Sequence, residues 1–380
     1  MKDIIEDFSM TGESISSVDL LVMLGEAGAS FPEQIVDSVR EAIAWDTVEK
    51  GLAAKPAIGR VIVSTRNSSL SRSLNGLPVH IVPDPAGEAF HFGRRLHAIA
   101  REWDLRTVLY IGGGASPLLS IAQLIELAEI LTAAPNRLVT NNLYSSDLVG
   151  FDARLLEQIE LPDKDNDLAW RLAQLGKLDV RQPPRTASTA FDVDTVTDVL
   201  VLSMCPQVGR HTSDALAKWP LDTSRLEAVL ARLRDPHSRL LLIGRVSSSI
   251  WQTLQERVPC TTRVIAEERG MRASGRLARG EVRSLVGFAA EKYGFEGLFA
   301  RLAQEADAIL MDSRVLFAHF GRWPSDADRY YSDLGMPAQI EDPLIRRLTE
   351  AVVNAPIPIV LGGHSLLSGG ILALLEAIGL

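Results

Sequence analysis

The sequence predicts an α/β fold in two domains, each a mainly parallel sheet flanked by helices, and three observations carry that expectation. Short apolar runs rich in Val, Ile and Leu alternate with longer helical patterns, as in βαβ units whose strands are buried on both faces. At 380 residues the chain exceeds what one hydrophobic core usually organises, so two units of roughly 150–200 residues are expected. The series of runs is interrupted once, by a polar helical stretch over 212–235. This divides the chain into 1–204, a connector 205–238, and 239–380.

The strands expected in the first unit are DLLVML (19–24), RVIVST (60–65), VHIV (79–82), TVLYIG (107–112) and RLVTNN (137–142), with an edge segment near TAFDV (189–193). Helices are expected around 32–50, 90–103 and 116–132. The last of these has Ser116 to cap its free amides, Pro117 for its first turn, and an apolar face through Ile121, Leu124, Ile125, Ala128 and Leu131. The second unit reads as strands RLLLIG (239–244), TTRVIA (261–266), AILMDS (308–313) and PIPIVLGG (356–363). Helices lie near 247–257, 281–304, 340–354 and 366–378.

Composition narrows the function classes. Hydrophobic residues make up 46% and charged residues 23%, the balance of a folded globular protein. A formal charge of −9 argues against nucleic acid held by bulk electrostatics and favours a small-molecule ligand. Cys205 and Cys260 are the two cysteines, without metal or disulfide spacing, which fits a reducing cytoplasm. The acidic start MKDIIEDFSMTGESISS lacks the layout of a secretory signal, and no run reaches the roughly 18 apolar residues of a membrane span. The expectation is a soluble, cytoplasmic protein with no membrane partner; a homo-oligomer stays open.

Three segments of the first half, in order, carry a resemblance: VPDPAGEAFHFGRRLHAIARE (82–102), VLYIGGGASPLLS (108–120) and RTASTAFDVDTVTDVLVL (185–202). Together they resemble nucleotidyltransferases of the GT-A-like α/β superfamily, especially the molybdenum-cofactor and phospholactate guanylyltransferase branches. SPLL (116–119) is similar to the family's turn after the central strand, and FDVDTVTDVL (191–200) to its late "DIDTPEDL" segment. Over about 200 residues the resemblance implies a Rossmannoid fold, an NTP as substrate or ligand, and Mg²⁺. The chain departs from the family at two places. LGEAGASFPEQ (24–34) has glycines and Ser30 but no Lys or Arg for phosphates, and Gly112, Gly113 and Gly114 stand where the family carries a metal-binding Asp.

Bare backbone at Gly112–Gly114, with Ser116 after it, permits close approach of a phosphate to main-chain amides; a tight strand-to-helix turn is the alternative. Alternation puts Asp192 and Asp194 on one side of a strand with Val193 opposite, a pair suited to Mg²⁺, although one of them could instead cap the next helix. Asp84 is a candidate ribose or base contact, or simply turn chemistry beside Pro85. Arg94 and Arg95 are candidates for phosphates or for solvated charges, and His91 and His97 are given no role.

The second half resembles no family, but its polar residues gather at strand ends, where open α/β sheets bind ligands. LGGHSLLSGG (361–370) offers Gly362, Gly363 and Ser365 to an anion, or serves as a glycine-rich connector. Arg263, Arg269, Arg272, Arg276, Arg279 and Arg283 crowd into one stretch, an anion clamp or a solvated face paired with Glu267, Glu268 and Glu281. Arg314 joins the candidate anion ligands, inside what reads as a long polar lid loop over 312–335. Asp312 and Glu267 are candidate acid/base groups and His364 a proton carrier.

The expected function is nucleotidyl transfer from an NTP to a small phosphorylated acceptor. Its rivals are a degenerate nucleotide-binding or regulatory module fused to a small-molecule enzyme or sensor, and a structural oligomer.

Overall fold

The apolar runs of the first half become β1 (Val18–Leu24), β2 (Ile58–Thr65), β3 (His80–Pro83), β4 (Thr107–Gly112) and β5 (Arg137–Thr140), joined by β6 (Leu148–Asp152) and β7 (Asp179–Arg181). They form one seven-stranded sheet in the order β3-β2-β1-β4-β6-β5-β7, parallel except that β6 runs against β4 and β5. The second half supplies β8 (Arg239–Gly244), β9 (Thr261–Ala266), β10 (Ala308–Asp312) and β11 (Ile359–Gly362), all parallel in the order β11-β10-β8-β9. The computed structural model describes residues 17–25, 28–85, 89–272 and 274–380. The N-terminal stretch read for a signal, positions 26–27 of the first loop and 86–88 after Asp84 lie outside them.

The first sheet is buried on both faces because its strands alternate between two cores. Leu20, Val22 and Leu24 of β1 pack on one side with α1 (Phe31–Ala53), α2 (Ser68–Ser73) and α4 (Ile121–Thr132). Leu21 and Met23 pack on the other with α3 (Phe92–Glu102) and α5 (Leu168–Ala173). α1 starts where its sequence dictates: Ser30 and Glu33 form a capping box and Pro32 sits in the first turn. Its length is apolar on two stripes. Ala44 and Val48 face the first sheet, while Ile35, Val36, Val39 and Ile43 face away from it.

That second stripe explains how the halves meet. It enters a core shared with α6 (Ala187–Ala190), α7 (Val196–Ser203), α8 (Arg210–Lys218) and α9 (Ser224–Leu233), with Leu240, Leu242, Leu310 and Val360 of the second sheet, and with α15 (Gly369–Ala377). The opposite face of the second sheet is covered by α11 (Leu285–Glu305), α12 (Arg314–His319) and α14 (Pro343–Val353). α10 (Ser248–Arg257) packs beside β9, and α13 (Asp326–Asp333) closes the set against α1. The expected connector at 205–238 is thus part of a helical layer between two sheets.

Four local expectations are corrected. TAFDV is not a strand: Thr189 Oγ1 accepts from the Thr186 amide at 3.1 Å, closing the turn of α6, and only Asp192 makes an antiparallel bridge, to Ala115. α4 begins at Ile121 rather than 116, because Ser120 and Gln123 form the capping box while Ser116 takes a positive φ of 49° in the preceding turn. The stretch 312–335 is not a free loop but largely α12 and α13; Ser325 caps α13 by accepting from the Asp328 amide at 3.1 Å, and Tyr330 is buried. The strand β6 was not anticipated, since its apolar run is cut by Gly150, where a side chain would meet Leu131 Cδ2 at 2.9 Å.

Candidate functional site

At the carboxyl rim of the first sheet, four carboxylates collect around one arginine. Asp147 begins the approach to β6 and Asp165 lies in a 3-10 turn before α5; Asp192 and Asp194 follow α6. Tyr110 Oη donates to Asp165 Oδ2 at 2.8 Å, and Asn166 Nδ2 lies 3.3 Å from Asp147 Oδ1. Burial, then the charges of Asp165 and Asp194, push the Asp147 carboxyl well above the ordinary carboxylate range. Burial followed by Asp194 and Asp147 does the same to Asp192. Burial also raises Asp165, against the Tyr110 hydrogen bond.

Arg40, reaching in from α1, is the cation of this group. Burial opposes its charge, yet Asp194, Tyr330, Asp37 and Asp165 around it hold the guanidinium above its ordinary value. Its Nε is buried and has no hydrogen-bond partner. Arg40 is shared between these carboxyls and Asp37, and carboxyls this close raise one another's pKa. Sequence reasoning found Asp192 and Asp194 but missed Asp147, Asp165 and Arg40. The available signals were weak: a tyrosine in an otherwise aliphatic β4, and an arginine among the apolar stripes of α1.

The glycine turn is packed against the protein's own groups, which corrects the expectation of bare, open backbone at Gly112, Gly113 and Gly114. The Gly112 amide donates to Asp147 O at 2.9 Å and the Gly113 amide to Met23 O at 2.8 Å. A side chain at Gly113 would meet Leu24 Cδ1 at 2.5 Å, and one at Gly114 would meet Arg40 Nε at 2.8 Å and Val193 O at 2.9 Å. The glycines therefore let Leu24, Arg40 and the Asp192 segment close over the strand end. The Ser116 amide donates to Phe191 O at 3.0 Å, while its buried hydroxyl has no partner. Asp84 is engaged elsewhere, accepting from Ser64 Oγ at 2.6 Å and Arg95 Nε at 2.7 Å.

The rim of the second sheet abuts the same place. Ser365 Oγ donates to Asp192 O at 2.8 Å and lies 2.9 Å from its Oδ1, and Tyr330 Oη donates to Asp194 O at 2.8 Å. Ser365 thus holds the acidic segment. Gly362 and Gly363 are also corrected: side chains there would meet Thr197 Cγ2 at 3.2 Å and Thr195 Cγ2 at 3.1 Å, so these glycines admit α7 and its cap.

Of the second-half candidates, Asp312 and His364 act on one another electrostatically, and the Glu267 carboxylate is engaged by Ser284. Burial would raise Asp312, but the charge and hydrogen bonds of Arg245 (Nε–Oδ2 2.5 Å) outweigh it and hold the carboxyl below its ordinary range. Asp312 is therefore a paired structural charge. Glu267 accepts from Ser284 Oγ at 2.7 Å, the N-cap of α11, while its amide donates to Gly244 O at 2.7 Å. His364 sits two residues beyond Gly362, which pairs with Asp312; burial and then Arg245 push its pKa down to about 4, and its Nδ1 is buried without a partner. At neutral pH it is an uncharged imidazole.

Arg314 is corrected as an anion ligand. It is buried and forks onto Asp333 at 2.9 and 2.8 Å. Arg269 is exposed, with no carboxylate partner among the described residues.

Two other clusters of polar groups lie outside this rim. Asp46, Glu49 and His211 bring three ligand atoms within 4.8 Å of one another, but Asp46 caps α8, accepting from the His211 amide, the Thr212 amide and Thr212 Oγ1 at 3.0, 2.9 and 2.6 Å. A cavity of about 340 Å³ is lined by Gln123, Ser188, Cys205 and Glu376 among others. Gln123 is already bonded to Ser188 at 2.7 Å, and burial pushes the Cys205 thiol up to about 12. Both sets are satisfied within the protein.

No protein-family model and no curated protein matches the sequence. Solved structures similar to the chain include a cytidylyltransferase from Leptospira borgpetersenii, 15% identical with a TM-score of 0.40 over 53% of this chain and 93% of that one. A nucleotidyl transferase from Methanothermobacter is 17% identical with a TM-score of 0.37, over 48% of this chain and 95% of that one. A 4-diphosphocytidyl-2C-methyl-D-erythritol synthase from Anaerococcus prevotii is 13% identical with a TM-score of 0.33, over 48% and 94%. No helix among the described residues is long and apolar enough to cross a membrane.

Proposed function

We propose that the chain binds a nucleoside triphosphate with Mg²⁺ at the acidic rim and transfers the nucleotidyl group to a small phosphorylated acceptor. The observation that carries this reading is the meeting of Asp192 and Asp194 with Asp147 and Asp165 around a single arginine. The donor set fits the ion, since Mg²⁺ takes hard oxygen ligands and is commonly held by one or two carboxylates, with phosphates and water completing its shell. Asp192 and Asp194 would hold it, and the bound ion would supply charge neutralisation at the reacting phosphate. Arg40 offers a second, fixed positive charge beside the same point, and Ser365 and Tyr330 hold the Asp192–Asp194 backbone in place. The motif FDVDTVTDV, in which the two aspartates lie, supports the nucleotide class through its resemblance to nucleotidyltransferases.

A second reading, a nucleotide-binding module without catalysis, is favoured by one observation: the amides of Gly112 and Gly113 are committed within the protein. Thermal denaturation with a panel of triphosphates, with and without Mg²⁺, separates the two. Saturating ligand at about 100 times its Kd adds about 2.7 kcal/mol of apparent stability. Transfer predicts that this stabilisation requires Mg²⁺ and disappears in Asp192→Asn and Asp194→Asn. Metal-independent stabilisation that survives both substitutions supports the binding module and ends the catalytic reading.

A further inference from the structure

We infer that Arg269 and Arg272 of the second half, with Arg185 of the first, form a polyphosphate-binding face that completes the acidic site and takes the terminal phosphates of a di- or triphosphate. The inference rests on the nucleotide reading above and names the residues and ligand chemistry of its phosphate end.

The arginines of this stretch divide by partner, and Arg283 donates to the Gly280 and Val282 carbonyls at 2.9 and 2.7 Å. Arg263, Arg276 and Arg279 lie against Glu305, Glu268 and Glu281, an ordinary solvated arrangement. Arg185, Arg269 and Arg272 have no carboxylate partner among the described residues, although all three side chains belong to exposed residues. Arg272 instead lies over the exposed ring of Trp323, its guanidinium carbon 4.6 Å from the ring centre, and Arg329 lies over the same ring at 5.3 Å. An indole holds a guanidinium in position without cancelling its charge.

The fold brings these groups to the acidic rim. Arg269 and Arg272 follow the end of β9, whose Ala266 pairs with Gly244, next to Arg245. Arg185 precedes α6, which leads straight to Asp192. The bonds from Ser365 to Asp192 and from Tyr330 to Asp194 fasten the two rims together. Between them stands His364, neutral, with its unpartnered Nδ1.

The electrostatics agree with this geometry. Burial and then Arg269 lower the pKa of Arg185; burial and then Arg245 lower that of Arg272. Arg329 falls to about 10, through burial and then Arg314. Arg185 and Arg269 crowd one another, as do Arg272 and Arg245, with Asp194 acting in the opposite sense on Arg272 and Asp326 lying against Arg329; such an excess of cations is offset by a multiply charged anion, and guanidinium groups meet phosphate oxygens in a planar, two-point fit. Two adjacent phosphates match the spread of charge better than one.

The test is isothermal titration of the full chain with inorganic pyrophosphate and, separately, with inorganic monophosphate, both without Mg²⁺. Pyrophosphate is expected to bind at least about tenfold more tightly than monophosphate, with each of Arg269→Ala and Arg272→Ala weakening it by about tenfold, the loss of one strong contact. Asp192→Asn is expected to leave that binding intact or tighten it. Circular dichroism and the melting temperature check that the variants fold.

Absence of pyrophosphate binding, or binding indifferent to both arginine substitutions, overturns the inference. Equal affinity for monophosphate also overturns it, assigning the face to a phosphorylated acceptor. If the inference fails while Mg²⁺-dependent triphosphate stabilisation persists, the nucleotide reading stands alone. If pyrophosphate binds as expected but no triphosphate needs Mg²⁺, the catalytic reading fails by itself.

Discussion

The two sheet rims that meet at this site carry opposite charges and manage them differently. At the first rim, Asp147, Asp165 and Asp192 are raised by burial and by one another, with Arg40 as their cation. At the second, two carboxylates are each gripped by an arginine, Asp312 by Arg245 and Asp333 by Arg314, and Arg329 lies against Asp326, while Arg269 and Arg272 have no carboxylate partner among the described residues. Paired buried charges hold a fold in register, whereas unpaired ones store a cost that a ligand can relieve. Charge density alone therefore does not separate the two kinds of charge; the presence or absence of a partner does.

The sharpest break of that contrast is in the paired class. Arg314 and Asp333 are both buried, so Arg314→Ala strands a carboxylate away from water and is expected to cost about 3–5 kcal/mol, read as a fall in the urea midpoint. Arg314→Met combined with Asp333→Leu removes both charges and should recover most of the loss. If the double variant is no better than the single one, the damage is to packing, and the pair is not the device described.

How much of this was legible in the sequence follows from what each feature requires. β8 and β10 fall where the apolar runs place them, because a central parallel strand must be apolar on both faces. β7, three residues with charges at both ends, has no such period to read. Asp192 and Asp194 stood out because two acids flank one apolar residue. Asp147 and Asp165 did not, since each sits in an ordinary polar loop and acquires its neighbours only when β6 folds back against β4. The two glycine clusters misled for one reason. A glycine that admits a ligand and a glycine that admits Leu24 or Thr195 are identical in sequence, and only the neighbour distinguishes them.

The rims should also answer pH in opposite directions, an effect smaller than breaking the pair. His364 has a folded pKa of about 4, below its ordinary 6.5, so between those values the unfolded chain binds a proton that the folded chain refuses. Its contribution is present above pH 6.5 and is lost as the pH falls toward 4. The acidic rim runs the other way: Asp198, next to it, is raised by burial to about 7 from 3.8, so its share of stability is lost as the pH rises through that window. Urea denaturation from pH 4 to 7 compares the chain with His364→Asn. The variant is expected to lose less stability on acidification; identical slopes would mean that His364 is not held neutral.

The smallest effect is expected where an arginine of the crowded stretch does have partners. Arg276 is partly exposed and meets Glu268 at 2.6 Å and Glu281 at 3.4 Å, a surface network in which solvent already screens the charges. Arg276→Ala should therefore leave both the urea midpoint and the pyrophosphate affinity unchanged within error, although it removes the same charge from the same segment as Arg272→Ala. Net charge is thereby held equal between the two variants, and only the presence of a carboxylate partner differs. A loss of pyrophosphate binding as large in Arg276→Ala as in Arg272→Ala would mean that the anion senses the summed field of the segment, and the distinction between paired and unpaired arginines would fall with it.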